Sequence, residues 1–413
     1  GDGTRLSAII NLMERAAAEK PRIVEMADRI ASYFVAALLA VAVLVAVGWY
    51  LVEPSKALWV TVSVLVVTCP CALSLATPIA LTVAAGALAK DGLLVTRGHA
   101  IETLARATHF VFDKTGTLTT GHMHLIDVGA VGGLNRDECL AIAAALEQNS
   151  EHPVATALRR AAGESFPTVA DAVSEPGQGI EAVVNGRRYR IGRPAYVLAL
   201  SHAELPNVAV DWLESGDTVV VLADTSGCLA FFRIGDEIRP ESSALIAQLR
   251  SAGKKIILLT GDAPAVARRV ASALGIEDVR AGATPQGKHD CVKALQAGGA
   301  VVAMVGDGVN DAPVLAQAQV SIAMGGGAQL ARTQSDFVLL SENLDHLRYG
   351  LRRAVKTLQV IRQNLWWSFA YNFIALPLAI AGYVTPWMAG IGMSASSLLV
   401  VLNSLRIQRV ETD

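Results

Sequence analysis

Charge is scarce in this sequence. Of 413 residues only 17% are Asp, Glu, Lys or Arg, against 52% apolar, and the mean hydropathy is +0.42. That balance excludes a disordered chain and an ordinary soluble globule, and it points to membrane spans mixed with soluble domains. A formal net charge of −2 leaves no basic excess for a nucleic-acid partner. Cysteine is sparse as well: Cys69, Cys71, Cys139, Cys228 and Cys291 are odd in number and scattered except for one pair. This argues against a disulfide framework and for a reducing compartment. No G-x-x-x-x-G-K-S/T loop is present, so a nucleotide must be held another way. Gly1-Asp2-Gly3-Thr4 is neither an initiator methionine nor a signal peptide, and reads as the interior of a longer protein.

What is abundant is long uncharged sequence. Residues 5–30 mix apolar and charged positions at helical spacing, with Pro21 expected to break or kink the helix. Ala31 to Val52 is uncharged and long enough to span a bilayer. Ala57 to Ala89 is also uncharged, too long for one span, and interrupted by Pro70 and Pro78, which predicts a broken helix. Leu365 to Leu405 is divided by Gly382-Tyr383-Val384-Thr385-Pro386 and reads as two helices joined by a tight turn. Lys20, Arg22, Arg29, Lys90, Arg97, Arg352, Arg353, Lys356, Arg362, Arg406 and Arg409 lie on one side of these four spans, and Lys56 on the other. Both termini and the large middle section are therefore expected in the cytoplasm.

That middle section alternates strand-like and helix-like runs. Phe110–Phe112, Lys255–Thr260, Val301–Val305 and Val320–Met324 read as buried parallel strands. Between the first two lies an insertion containing an Asn185-Gly186 hairpin and a second antiparallel pair, Thr218–Ala223 with Cys228–Ile234. The fold class is thus an α-helical membrane domain plus a doubly wound α/β domain that carries an inserted α+β domain.

Asp113-Lys114-Thr115-Gly116-Thr117-Leu118-Thr119 follows the first of these strands. A carboxylate at the carboxyl end of such a strand sits where open α/β sheets bind ligands, and Asp113 is placed to act as a nucleophile. An ordinary strand-to-helix turn is the alternative for this stretch taken alone. Thr260-Gly261-Asp262 follows the second strand, and its threonine can hydrogen-bond a phosphate oxygen. Lys288 offers a cation, and Gly306-Asp307-Gly308-Val309-Asn310-Asp311 offers carboxylates for Mg²⁺. Met393 and Ser397 lie one helical turn apart in the last uncharged run. In Cys69-Pro70-Cys71 a helix-breaking proline is flanked by two thiols, which suit a soft ion such as Cu(I). Two small apolar fillers beside a kink are the alternative there.

D-K-T-G-T-L-T resembles the phosphorylation motif of P-type ATPases, within the haloacid-dehalogenase-like group of folds. With C-P-C, Tyr371-Asn372 and Met393-x-x-x-Ser397, the chain resembles the heavy-metal (type IB) subclass and its copper(I) exporters in particular. The resemblance covers essentially the whole chain. The string T-C-P-C-A-L-S-L-A-T-P and Gly325–Arg332 resemble the bacterial branch that supplies copper to cytochrome oxidase assembly. The resemblance implies that Asp113 is phosphorylated. It implies that Asp113, Asp307 and the Thr115 carbonyl bind Mg²⁺, while Thr260 and Lys288 hold the phosphoryl group. Lys114, Gly261, Asp262, Asn310 and Asp311 complete the catalytic set. In the insertion, Glu147-x-x-Ser150-x-His152-Pro153, Gly177-x-Gly179-Ile180 and Gly192-Arg193 resemble nucleotide-contact segments and are assigned to ATP. Glycines there would let the backbone approach a ligand. Cys69, Cys71, Tyr371, Asn372, Met393 and Ser397 are assigned to the transported copper, with Gly86 and the amphipathic stretch after it as the entry platform.

The same resemblance implies a multi-pass protein of a bacterial inner membrane, surrounded by lipid, with a copper chaperone as donor and silver(I) as a second cargo. A zinc or cadmium pump is one alternative, but the last two spans hold no acidic residue. A membrane-anchored phosphatase is another, but Thr115 stands where such phosphatases carry a second Asp. Lacking that acid and any Thr-Gly-Glu, this chain is expected to autophosphorylate and dephosphorylate slowly. Gly163-Glu164-Ser165 only partly matches that motif and is expected to be a surface turn. The implied organisation is a linker from an actuator domain (1–30), two transmembrane helices (31–89), the first part of the phosphorylation domain (90–120), the nucleotide-binding domain (121–235), the second part of the phosphorylation domain (236–345), two further transmembrane helices (346–405) and a tail (406–413).

Overall fold

The computed structural model describes residues 22–69, 71–163, 166–201, 204–307, 312–326 and 334–409, with side chains from residue 37 onward. The elements run α1 (Arg22–Val52), α2 (Pro54–Val67), α3 (Cys71–Lys90), β1 (Leu93–Val95), α4 (Ala100–Arg106) and β2 (His109–Phe112). They continue with β3 (Thr119–Ala130), α5 (Arg136–Leu146), α6 (Pro153–Ala162), β4 (Val169–Glu175), β5 (Gly179–Val184), β6 (Arg187–Gly192), α7 (Pro194–Leu198) and α8 (Asn207–Glu214). Next come β7 (Thr218–Asp224), β8 (Gly227–Ile238), α9 (Pro240–Ser251), β9 (Lys255–Leu259), α10 (Pro264–Leu274), β10 (Asp278–Arg280) and α11 (Pro285–Ala297). The last are β11 (Val302–Gly306), α12 (Ala312–Gln317), β12 (Val320–Ala323), β13 (Phe337–Leu339), α13 (Asp345–Ile380) and α14 (Pro386–Leu405). Contacts divide the chain into two compact units, Gly1–Phe110 with Val292–Asp413, and Val111–Cys291.

The first unit contains the long apolar helices. Helix α2 stops at Val67, where the Thr68 N–H still reaches the Val64 carbonyl, and α3 starts at Cys71. A proline at 70 has no N–H to continue the ladder, so the break falls where the sequence puts it. Pro78 is accommodated inside α3. The helix also runs through Gly86 without interruption to Lys90 and is followed by β1. No separate helix lies between Gly86 and β1. Pro54–Lys90 and Pro386–Arg409 are each long and apolar enough to cross a membrane, and Ala37–Val52 is a shorter apolar helix.

Helix α13 has 36 residues and so runs about 54 Å at ~1.5 Å per residue. Its uncharged half begins only at Leu365, and in the charged first half Gly350 packs against Leu93 of β1. Leu38, Ala42 and Val45 of α1, Val60, Val64 and Val67 of α2, Ala379 of α13 and Ala389 of α14 form one core. The outward side is equally apolar, with Leu51, Trp366, Phe373 and Trp387 all exposed, as suits helices whose solvent is lipid. In the same unit β1, β13, β12 and β11 lie in that order, β1 antiparallel and the others parallel.

The second unit holds β2, β9 and β10 in that order, with β9 and β10 parallel, and a six-stranded antiparallel sheet ordered β3-β8-β7-β6-β5-β4. Strand periodicity explains how this second sheet is covered on both faces. In β7, Val220 and Leu222 pack with α5 and α6, while Val219, Val221 and Ala223 pack with α7 and α8. The β5–β6 hairpin turns on Asn185 (φ 50°) and Gly186 (φ 78°), the left-handed pair that a two-residue hairpin requires.

Candidate active site

Asp113 follows β2 directly. Hydrophobic residues Phe110, Val111 and Phe112 bury the strand, and the turn after it is opened by Gly116 at φ 70°. The carboxylate is only 7% exposed, and Lys288, also 7% exposed, donates from Nζ to Asp113 Oδ1 at 2.6 Å. Thr260 closes β9, and its hydroxyl donates to Asp262 Oδ2 at 3.1 Å. Asp262 also pairs with Lys114 Nζ at 2.8 Å. The loop carrying Gly261 is tied down by backbone bonds from Gly282 to Asp262 and from Ala283 to Thr260. Asp113, Lys114, Thr260, Asp262 and Lys288 thus gather in one unit. Lys114 is turned to carboxylates, Asp262 and, at 3.6 Å, Asp236. The Thr117 hydroxyl is fully buried without a hydrogen-bond partner. Asp307 follows β11 in the first unit. Asn310 and Asp311 lie outside the described residues, as do Glu164 and Ser165 and most of the Gly325–Arg332 stretch.

Seven of the eight residues assigned to the nucleotide line a single cavity of about 300 Å³: Glu147, His152, Gly177, Gly179, Ile180, Gly192 and Arg193. Pro153 starts α6 beside it. His152 also caps α6, its Nδ1 accepting from the Val154 N–H at 3.3 Å. The capping and cavity roles coexist, because a neutral ring that accepts at Nδ1 carries its proton on Nε2. Glu147 caps the far end of α5, and burial pushes its carboxyl above the ordinary value against the opposing pull of Ser150, His152 and Arg159. The glycines divide. Gly177 (φ 74°) has open space beside it. Gly179 and Gly192 instead press against each other's strands, where a Cβ would meet the carbonyls of Ile191 and Gln178. Their small size is required by the hairpin itself, and both also line the cavity.

In the membrane-type helices, α3, α13 and α14 pack through Ala72, Ala76, Leu365 and Val400. Tyr371 and Asn372 lie on α13, and Met393 and Ser397 on α14. The Tyr371 hydroxyl lies against Gly392, next to Met393. The Asn372 side-chain oxygen is buried without a partner. Cys69 and Cys71 converge across the helix break with Cα atoms 5.4 Å apart, and their sulfurs are joined as a disulfide. This is one local bridge, not a framework, and it joins the one pair that the cysteine spacing sets apart. The break brings the two side chains to one point within bridging range, and only the reduced pair supplies thiolate ligands. Cys139, Cys228 and Cys291 are free, and burial pushes the Cys228 thiol up to about 11.

A model of the haloacid dehalogenase-like hydrolases matches residues 107–319. The chain is 38% identical over 412 residues to the copper-exporting P-type ATPase of Mycobacterium tuberculosis, covering 99% of this chain and 54% of that protein. It is 39% identical over 422 residues to the probable copper-exporting P-type ATPase V of the same organism, covering 100% and 55%. It superposes on a zinc-transporting PIB-type ATPase in its E2.Pi state with a TM-score of 0.83 at 33% identity, covering 99% of this chain and 68% of that one. The chain belongs to the heavy-metal P-type ATPases. It spans about half the length of the curated relatives it matches.

Two groups of residues in this heavy-metal P-type ATPase were not singled out by sequence reasoning. The first is Asp236 and Arg239, at the end of β8 and just beyond it. Asp236 accepts from the Thr119 hydroxyl at 2.5 Å and from the Gly121 N–H at 2.9 Å. Arg239, 7% exposed, donates to carbonyls of the Asp113 loop. Backbone acceptors leave no trace in a sequence, so nothing there marks this arginine. The second is a polar ladder between α13 and α14. Asn364 donates to Ser404 at 3.0 Å, Asn403 to Asn364 at 2.9 Å and Trp367 to Ser396 at 3.1 Å. Its signal was available, since amides inside an uncharged run are costly unless paired.

Proposed function

We propose that this P-type ATPase exports copper(I), with silver(I) as a second cargo, by transferring the terminal phosphoryl group of ATP to Asp113. The observation that carries the reaction is the buried Asp113 carboxylate, held by Lys288 at 2.6 Å on a loop at the end of β2. An Asp113 oxygen forms the new bond to the γ-phosphorus, and the bond to the bridging oxygen breaks as ADP leaves with the electron pair. Lys288 and the Thr260 hydroxyl meet the charge on the transferring oxygens, so catalysis is mainly positioning and charge neutralisation. Asp113 and the Thr115 carbonyl offer hard oxygens that suit Mg²⁺, which would neutralise phosphate charge when bound. Glu147, His152 and the Gly177–Ile180 turn hold the nucleotide. With Thr115 in place of an acid, the loop itself supplies no base for hydrolysing the phosphoenzyme.

The copper reading is supported by the soft Cys69 and Cys71 sulfurs at the α2–α3 break, by Met393, and by the absence of acidic residues from Leu365 to Leu405. The two Mycobacterium tuberculosis relatives carry copper in their names. On this reading the protein works in a bacterial inner membrane, with its catalytic domains and a chaperone donor on the cytoplasmic side. The test is phosphorylation of the intact protein from labelled ATP with Cu(I), Ag(I) or Zn(II), under reducing conditions, compared with a Cys69→Ser/Cys71→Ser variant. Cu(I) and Ag(I) should drive labelling, and the serine variant should lose it while still binding ATP. Labelling driven by Zn(II) alone would replace copper with a divalent cargo. Equal labelling of the serine variant would sink the pump reading.

A further inference from the structure

The turn that presents Asp113 holds its own shape only in part: the Thr119 N–H and hydroxyl both close onto the Lys114 carbonyl, and the later carbonyls are left to other partners. Thr115 is extended (φ −74°, ψ 128°) and Gly116 is left-handed (φ 70°), so the carbonyls from Gly116 to Thr119 cannot form a helical ladder. They are taken by the segment that returns from the six-stranded sheet. Arg239 Nε is shared between the carbonyls of Thr117 and Thr119, both at 3.1 Å, and Nη2 donates to the Gly116 carbonyl at 3.2 Å. The Arg239 backbone N–H donates to the Leu118 carbonyl at 2.9 Å, and the Ser242 hydroxyl donates to that same oxygen at 2.8 Å. Four successive carbonyls of the loop are thereby claimed by two residues. Asp236 fixes the outgoing side through Thr119 and Gly121, and Thr119 pairs with Ile238 in the sheet register. Both chain crossings between the inserted domain and the Asp113 loop therefore meet at this cluster.

We infer that Arg239 is a positioning residue for phosphoryl transfer: it sets the backbone of the Asp113 loop and ties that setting to the strand leading back from the nucleotide cavity. The inference rests on the reading of Asp113 as the nucleophile. A guanidinium suits the task because its planar fork offers donors at Nε and Nη in fixed directions, which an ammonium lacks. The bonds reach the loop from Gly116 onward, directly beyond Thr115, so a lost donor shifts the Thr115 carbonyl and the Asp113 backbone rather than the cavity lined by residues between 147 and 220. An error in placing a nucleophile by a fraction of its bond length is costly in rate, whereas nucleotide affinity depends on residues elsewhere.

The experiment uses the intact protein in membrane vesicles and measures three quantities for Arg239→Lys and Ser242→Ala: the rate of phosphoenzyme formation from ATP, the ATP dissociation constant and the thermal midpoint. Arg239→Lys should slow phosphoryl transfer roughly 10- to 100-fold, with ATP affinity within about twofold of wild type. Ser242→Ala, which removes one of two donors to a single carbonyl, should lose less. Arg239→Lys transferring at the wild-type rate overturns the inference. So does a loss of labelling that follows, in proportion, a fall in folded protein and in ATP binding, since that pattern marks a structural role alone. Asp113→Asn is run beside them. If it still becomes labelled, the nucleophile assignment itself has failed, and that failure is distinct from the failure of Arg239.

Discussion

A carboxylate as buried as Asp113 stays charged only if a partner is built beside it. Lys288 is that partner, and the energetic scale separates it from the exposed ion pairs of the molecule. Removing one member of a buried pair costs about 3–5 kcal/mol because a charge is stranded, whereas an exposed pair such as Lys56–Glu53 is worth about 0–1 kcal/mol. Glu147 shows the opposite situation, a carboxyl whose charged form burial disfavours. Below its ordinary value the carboxyl is protonated in both folded and unfolded chains, and the fold keeps its full stability. As pH rises toward the raised folded value, the unfolded chain releases its proton first, and that stability is lost. Glu147→Gln should remove this slope. Thermal melts of both proteins between about pH 4 and about pH 8 should coincide at the acid end, with the variant gaining on wild type as pH rises. A constant difference across the range would show that the Glu147 proton is not linked to folding.

Elements whose burial matches their hydrophobicity were readable in advance. Strands β2, β9 and β11 are short apolar runs followed by Asp or Thr, β12 is one followed by Met324-Gly325, and each lies within a residue or two of its expected place. Strand β3 was not readable, because its twelve residues are mostly half-exposed and alternate weakly. The three-residue strands β1, β10 and β13 are too short to carry a period. The break at Thr68–Cys71 was legible from one proline, whereas the disulfide across it was not, because spacing alone does not say which way two side chains turn. The candidate site divides in the same way. Asp113, Thr260 and Lys288 announce themselves by chemistry, and Arg239 acts on carbonyls that every residue has. The hairpin glycines supply a test at this scale. Gly192 has φ 148° with the Gln178 carbonyl where a Cβ would sit, so strain and collision add in Gly192→Ala. A loss of about 1–3 kcal/mol in unfolding free energy is expected, with ATP affinity falling as Arg193 is displaced. Unchanged denaturant midpoints would show that the β5–β6 pair opens to admit the methyl.

At the scale of the molecule, the cavity lined by Glu147 and His152 and the Asp113 loop belong to one unit but to different sheets. The six-stranded sheet leaves the loop at Thr119 and returns at Ile238, and those two residues are paired. A domain inserted through two adjacent strands needs nothing else from its host to close its fold. Its core is its own: α5 and α6 cover one face of the sheet, and α7 and α8 cover the other. Coupling to the host runs through the cluster around Arg239, which lies beyond the returning strand, and through the buried Asp217 carboxylate, which pairs with Arg269 of α10 as well as with Arg233. Residues 119–238 expressed alone should therefore melt cooperatively and bind ATP, because the residues lining the cavity lie between Glu147 and Val220. Within that fragment His152→Gln should weaken ATP binding roughly tenfold, about 1.4 kcal/mol, since the imidazole ring that lines the cavity is lost. The fragment should take no label from ATP, having neither Asp113 nor Lys288. A fragment that stays unfolded would mean that the sheet depends on the loop it leaves. A folded fragment whose His152→Gln variant binds ATP as tightly as its parent would leave His152 with its capping bond to Val154 and no part in holding the nucleotide.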